Sequence, residues 1–393
     1  MDKTTIFLTL ALILTFSVRL TAAGEDLETE QRDIISRQMD ELELQNLRRE
    51  VDRINERTGE KLPALDLDQL ITGFLTGDFR HNWKELISNL LQYLAGEITA
   101  NVRILGQIIV LAAISALLSV FHSSFSGETV SRTANLLIFM LLAVLILRSF
   151  YLAVETGVGT IENMVSFMQA LLPVLLTLLM GIGAMSAAAV FNPLTYLVVS
   201  VLASLLQNVV LPLLLVSAVL GVVDRLAEGF SISRIAGIFR EFSTGLLTLT
   251  MLLLVGGMVI QGGAAAVADS LSLRAAKYLT GTFIPVIGGV FTDAVDLIIS
   301  CSLIIKNALN FFGVLAVLGI IAFPLLKIAA LIVIYRLAAA LLQPISDERL
   351  VGMLSHIAGS LVLLFVILLA TAFMFFIVIT IIAGTANLTV MIR

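Results

Sequence analysis

The residues best suited to chemistry are charged ones set in an apolar run. In "FIPVIGGVFTDAVDLIISCSLIIKN", residues 283–307, Asp293 and Asp296 lie three apart, so on a helix they share a face. Lys306 follows ten residues after Asp296, and Lys327 comes three residues after Pro324 in the next apolar run. A charge at mid-bilayer costs about 2.5–3.5 kcal/mol on insertion scales, so such groups should face protein or water. Three readings stand. Asp293, Asp296 and Lys327 line a polar pathway or a cation or proton site. Alternatively an Asp pairs with Lys327 and fixes helix packing. In the third reading both acids lie at the interface and the helix starts only at Gly289.

Backbone chemistry surrounds the same residues. Pro285, Gly288 and Gly289 weaken a helix near its start, and Pro173, Pro212 and Pro324 are further helix-break candidates. Arg148, Gln207, Asn208 and Gln261 are weaker members of the polar set. Arg148 stands near a span end and is expected to snorkel. Gln207 and Asn208 more commonly bridge helices than bind substrate.

No catalytic motif accompanies these groups. The chain lacks G-x-x-x-x-G-K-[ST], H-E-x-x-H, and a G-x-S-x-G between a strand and a helix. "GIGAMS", residues 181–186, is glycine-rich but too apolar for phosphate. His81, His122 and His356 make no metal-ligand spacing, and the single cysteine, Cys301, sits in an apolar run. The expectation is no enzyme, no cofactor and no metal.

The elements that must position the charges are membrane helices. Of 393 residues, 59% are hydrophobic and 13% charged, with mean hydropathy +1.03. Soluble proteins average about 45–50% apolar and about 25% charged residues. This is the composition of an all-α polytopic membrane protein. The net charge of −5 has no basic stripe, which argues against nucleic acid.

Residues 1–23 have the form of a signal peptide, with Lys3, an apolar core at 6–18, and small residues before a cleavage point after Ala23. Residues 24–103 hold seventeen acids and ten bases, and read as an acidic helical extracytoplasmic segment. Within it Leu27, Ile35, Met39, Leu42, Leu47, Val51 and Ile54 recur at mostly helical spacing. A second apolar face runs from Trp83 through Leu90 and Leu94 to Ile98. Each face fits a membrane surface, a partner, or the core of a small domain.

Residues 104–393 form the polytopic domain. Seven to eight spans are expected, at 104–121, 134–154, 164–185, 193–222, 245–267, 283–305, 311–335 and 355–384. Pro193 and Pro212 mark the long fourth span as bent or as two half-helices. Loop arginines and lysines divide evenly between the two sides, so the charge rule does not orient the chain. Pro173 and Pro212 are 39 residues apart, as are Pro285 and Pro324, at an offset of 112. That spacing suggests repeat units at 164–267 and 276–384, which three spans each would make inverted.

"KYLTGTFIPVIGGVFTDAVDLIISCSLIIKNAL", "AFPLLKIAALIVIYRLAAALLQPI" and the terminal "ANLTVMIR" resemble the stage III sporulation protein AE family of endospore-forming Firmicutes. The resemblance covers the whole chain and is densest from Phe167 to Arg393. It implies a polytopic subunit of a channel or secretion-like complex in the mother-cell membrane around the forespore. The implied partners are the other subunits of that complex, among them a separate ATPase and a forespore-membrane protein, and the acidic segment would lie in the intermembrane space. It carries over no catalytic residue. Two rival classes remain, a stand-alone secondary transporter and a membrane scaffold, and a homo-oligomer fits any of them.

Overall fold

The computed structural model describes residue 37 and residues 44–58, 83–124, 128–226, 232–283 and 288–391. The signal peptide, most of the acidic segment, His81 and Pro285 lie outside the described residues. Every element within them is helical: α1 (Gln45–Thr58), α2 (Trp83–Ser124), α3 (Glu128–Gly181), α4 (Met185–Leu205), a π-helical turn (Leu206–Val210), α5 (Leu211–Leu226), α6 (Ser233–Phe283), α7 (Gly288–Leu342) and α8 (Glu348–Met391).

Six apolar stretches among the described residues are long enough to cross a membrane: Ser88–Ser115, Leu136–Gly181, Met185–Arg225, Ser233–Ser272, Leu297–Leu342 and Glu348–Thr385. The count of seven to eight is therefore not confirmed among the described residues. Expected spans 134–154 and 164–185 share α3, and 283–305 and 311–335 share α7. Between the paired spans there is no proline, and Gly157 and Gly159 each cost a helix only about 1 kcal/mol. The boundary at 103/104 likewise falls inside α2.

The repeat is not confirmed either. Pro173 and Pro212 lie on separate helices, joined by a turn at 182–184 where Gly183 has φ 83°. Shifted by 112, that turn falls on residues 294–296 of the unbroken α7, where no glycine supplies a left-handed conformation. Pro173 and Pro324 stand inside continuous helices, Pro212 follows the π-helical turn by two residues, and Gly288 and Gly289 open α7.

α7 and α8 form the centre, with α3, α5 and α6 against α8 and with α2 and α3 against α7. Close approach depends on small residues. The His356 ring of α8 lies on Gly221 of α5, leaving no room for a Cβ, and Leu171 of α3 reaches Gly313 of α7. Phe167 and Phe312 lie 6.2 Å apart in the core between α3 and α7.

Two carboxylates close the helix ends. Asp269 of α6 is buried and accepts from the backbone N–H groups of Ser186 and Ala187, both at 2.8 Å, at the start of α4. Asp224 of α5 accepts from Ile232 N at 2.6 Å and Ser233 N at 2.8 Å, at the start of α6. A helix start presents unpaired N–H groups and the positive end of its dipole, so each acid sits where a negative charge is favoured.

Candidate functional site: a polar groove beneath α1

α1 buries Leu44, Leu47, Val51 and Ile54, spaced three and four apart on one face. Its cover is α3 and α7, so this amphipathic helix docks on the membrane bundle. Burying four aliphatic side chains contributes at most roughly 6–12 kcal/mol before ordering costs. The opposite face, with Gln45, Arg48, Arg49, Asp52, Arg53 and Glu56, is exposed.

Beneath and beside α1 lie two adjoining cavities, of ≈ 540 and ≈ 350 Å³, which share Glu50, Arg53 and Ser166. The larger adds Asn46, Arg49, Gln169, Pro173, Thr177 and Tyr196. The smaller adds Tyr93, Thr156, Glu162, Asn163, Pro324 and Lys327. Arg53 Nη1 donates to Glu50 Oε1 at 2.6 Å, and Arg49 Nη2 to Asn46 Oδ1 at 2.6 Å. Tyr93 of α2 stands edge-on to Phe323 of α7, 4.5 Å between centroids, and closes one side. The groove thus holds two acids and three bases beside neutral donors and acceptors. It can hydrate, bind a charged chain segment, or pass small polar species.

The expected charge set separates. Asp293 and Asp296 lie in the first turns of α7, and their side chains fall outside the described residues. Lys327 is 31 residues beyond Asp296 on the same helix, about 46 Å along its axis, so one chain cannot pair them. Lys327 instead lines the smaller cavity, opposite Glu162 of α3. Lys306 is fully enclosed; its Nζ donates to Ala383 O at 2.7 Å and reaches Asn387 Oδ1 at 3.5 Å. Among the described residues no carboxylate lies within 4 Å of either lysine's ammonium nitrogen, nor do three or more His, Cys, Asp or Glu cluster to hold a metal. One turn beyond Lys306, the buried Asn310 amide has no hydrogen-bond partner.

Gln261 is exposed on α6. Asn208 Nδ2 donates to Ser204 Oγ at 3.2 Å, a local bond and not an interhelical bridge. Cys301 is buried, as expected. Sequence reasoning missed Glu162, Asn163, Ser166 and Gln169, because their stretch was assigned to a loop and the next span. It also missed Asp269, whose signal was available as a lone acid in "AAAVADS".

Residues 65–386 match the family model described as Stage III sporulation protein AE. The chain is 35% identical over 379 residues to the Stage III sporulation protein AE of Bacillus subtilis (strain 168), covering 95% of this chain and 94% of that one. No solved structure matches. The runs that suggested the resemblance fall mostly within the matched region, and six helices able to cross a membrane agree with an integral membrane protein. The chain belongs to the stage III sporulation protein AE family, and with that membership takes a role in sporulation.

Proposed function

We propose that this chain is the large polytopic subunit of a channel or secretion-like complex between mother cell and forespore, and that the groove beneath α1 is its hydrophilic working surface. The observation that carries the reading is the placement of Glu162 and Lys327 on long, largely apolar helices, where both line one cavity. Ionisable groups on membrane helices are costly and are retained where they meet water, a partner or a passing solute. In this reading α1 is the extracytoplasmic docking element and lies in the intermembrane space. The proposal assigns the chain no catalysis; energy comes from a separate ATPase of the complex.

The test is Lys327→Met and Glu162→Gln in sporulating cells. Each should abolish spore formation while the protein level and its assembly with other subunits stay normal. A pure scaffold would lose function only in step with abundance or partner binding, so normal sporulation by both variants would end the groove's role. A stand-alone transporter would instead show flux in liposomes without partners. Its main motive, the inverted repeat, is not confirmed in the described helices.

A further inference from the structure

The outer side of α4 carries a polar row of which the groove uses only Tyr196. Asn192, Tyr196, Ser200, Ser204 and Asn208 recur at every fourth position, and all five are exposed. They form a row along α4 and the π-helical turn, about 24 Å long at 1.5 Å per residue, close to the roughly 30 Å of a bilayer's hydrocarbon. The stretch around them, Met185–Arg225, is apolar enough to cross a membrane. Hydroxyls and amides facing lipid forfeit hydrogen bonds, so the row needs a cover.

Water or another helix could supply it. The row is narrow, with Leu197 61% exposed and Val201 51% exposed on one side and the half-buried Gln207 its one polar neighbour near Ser204. A water-lined wall would need a broader polar arc. A narrow row with apolar flanks has the cross-section of a helix–helix contact. Its middle members, Ser200 and Ser204, are small and four apart, which lets two backbones approach closely. Every side chain in the row both donates and accepts hydrogen bonds, and none is charged at neutral pH. An identical row is therefore a complementary partner, as an isologous interface requires.

We propose that this row is the seam by which α4 packs against α4 of a second copy of this chain. Packing of i,i+4 ridges predicts a crossing angle of about −40 to −50°, with Ser200 and Ser204 at the crossing point. Tyr196 also lines the larger cavity, so the seam sets two grooves side by side.

The test places single cysteines at 192, 200, 204 and 208, with 197 and 201 as controls, in the full chain carrying Cys301→Ser. Membranes are oxidised and the products sized. A disulfide needs Cβ atoms about 4 Å apart, so Ser200→Cys and Ser204→Cys should give a species of twice the chain mass about tenfold above Leu197→Cys and Val201→Cys. Absence of that species at the row overturns the proposal, whether the thiols react with a membrane-impermeant maleimide or are shielded. So does an adduct of another mass. In lipid nanodiscs, Ser200→Leu with Ser204→Leu should halve the particle's protein mass without lowering the unfolding temperature; two chains persisting would also overturn it.

Discussion

At the scale of single residues, the buried acid Asp269 makes the sharpest prediction. Its two oxygens hold two backbone N–H groups at the start of α4, each at 2.8 Å, across more than eighty residues of chain. Charge-assisted bonds of this kind contribute about 1.5–3 kcal/mol each, and unpaired buried N–H groups cost in addition. Asp269→Ala should therefore destabilise the protein by roughly 2–4 kcal/mol, read as a lower unfolding temperature in detergent. Asp269→Asn, which keeps one acceptor oxygen, should fall between. Equal stability of all three would show that the cap contributes nothing. Lys327 was recognisable from sequence because a lysine stands out in an apolar run. Its counterpart Glu162 was not, because hydropathy treats a charge as a span end and cannot see that the helix continues past it.

At the scale of elements, α1 is the case where periodicity succeeded and stopped short. The helical spacing of Leu47, Val51 and Ile54 identified an amphipathic helix and its apolar face, although Leu42 was named and the buried Leu44 was not. It could not say what covers that face, since a stripe specifies area and not partner. The structure supplies α3 and α7. Leu47→Asp should accordingly release α1 from the bundle, because a carboxylate cannot be buried unpaired at that contact. Hydrogen exchange within 45–58 should rise, and a thiol placed at Ser166 should gain reactivity toward water-soluble reagents. Unchanged protection in both would mean that α1 is held by something other than its apolar face. Helix continuity was the least legible feature. Two pairs of expected spans proved to be single helices, since local sequence shows where a helix can stop and packing decides whether it does.

At the scale of the whole molecule, the helices outrun a membrane. The apolar window of α3 covers 46 residues, about 69 Å, more than twice a hydrocarbon slab of about 30 Å. Its large exposed apolar side chains are not spread evenly. They run from Leu136 to Leu152, about 24 Å, and then resume only at Met180. Between them lie Glu162 and Gln169, both exposed, and the docking surface of α1. A cysteine at Gln169 should therefore react with an impermeant maleimide while one at Ile260, 75% exposed on the apolar face of α6, stays silent. Silence at both positions would place the groove within lipid.

The charged outer face of α1 has its own consequence. Arg48, Asp52 and Glu56 are exposed on the outside of α1, and Arg49 and Arg53 line the groove at its edge, about 29 Å along α3 from its Gly181 end, measured at Glu162. Ions so dense cannot be immersed in oil, so that flank meets water, whereas α6 bares apolar side chains from Leu249 to Ile260. A bilayer meeting such a lopsided body must dip on one side, and the dip brings solvent to the flank where Lys327 lies.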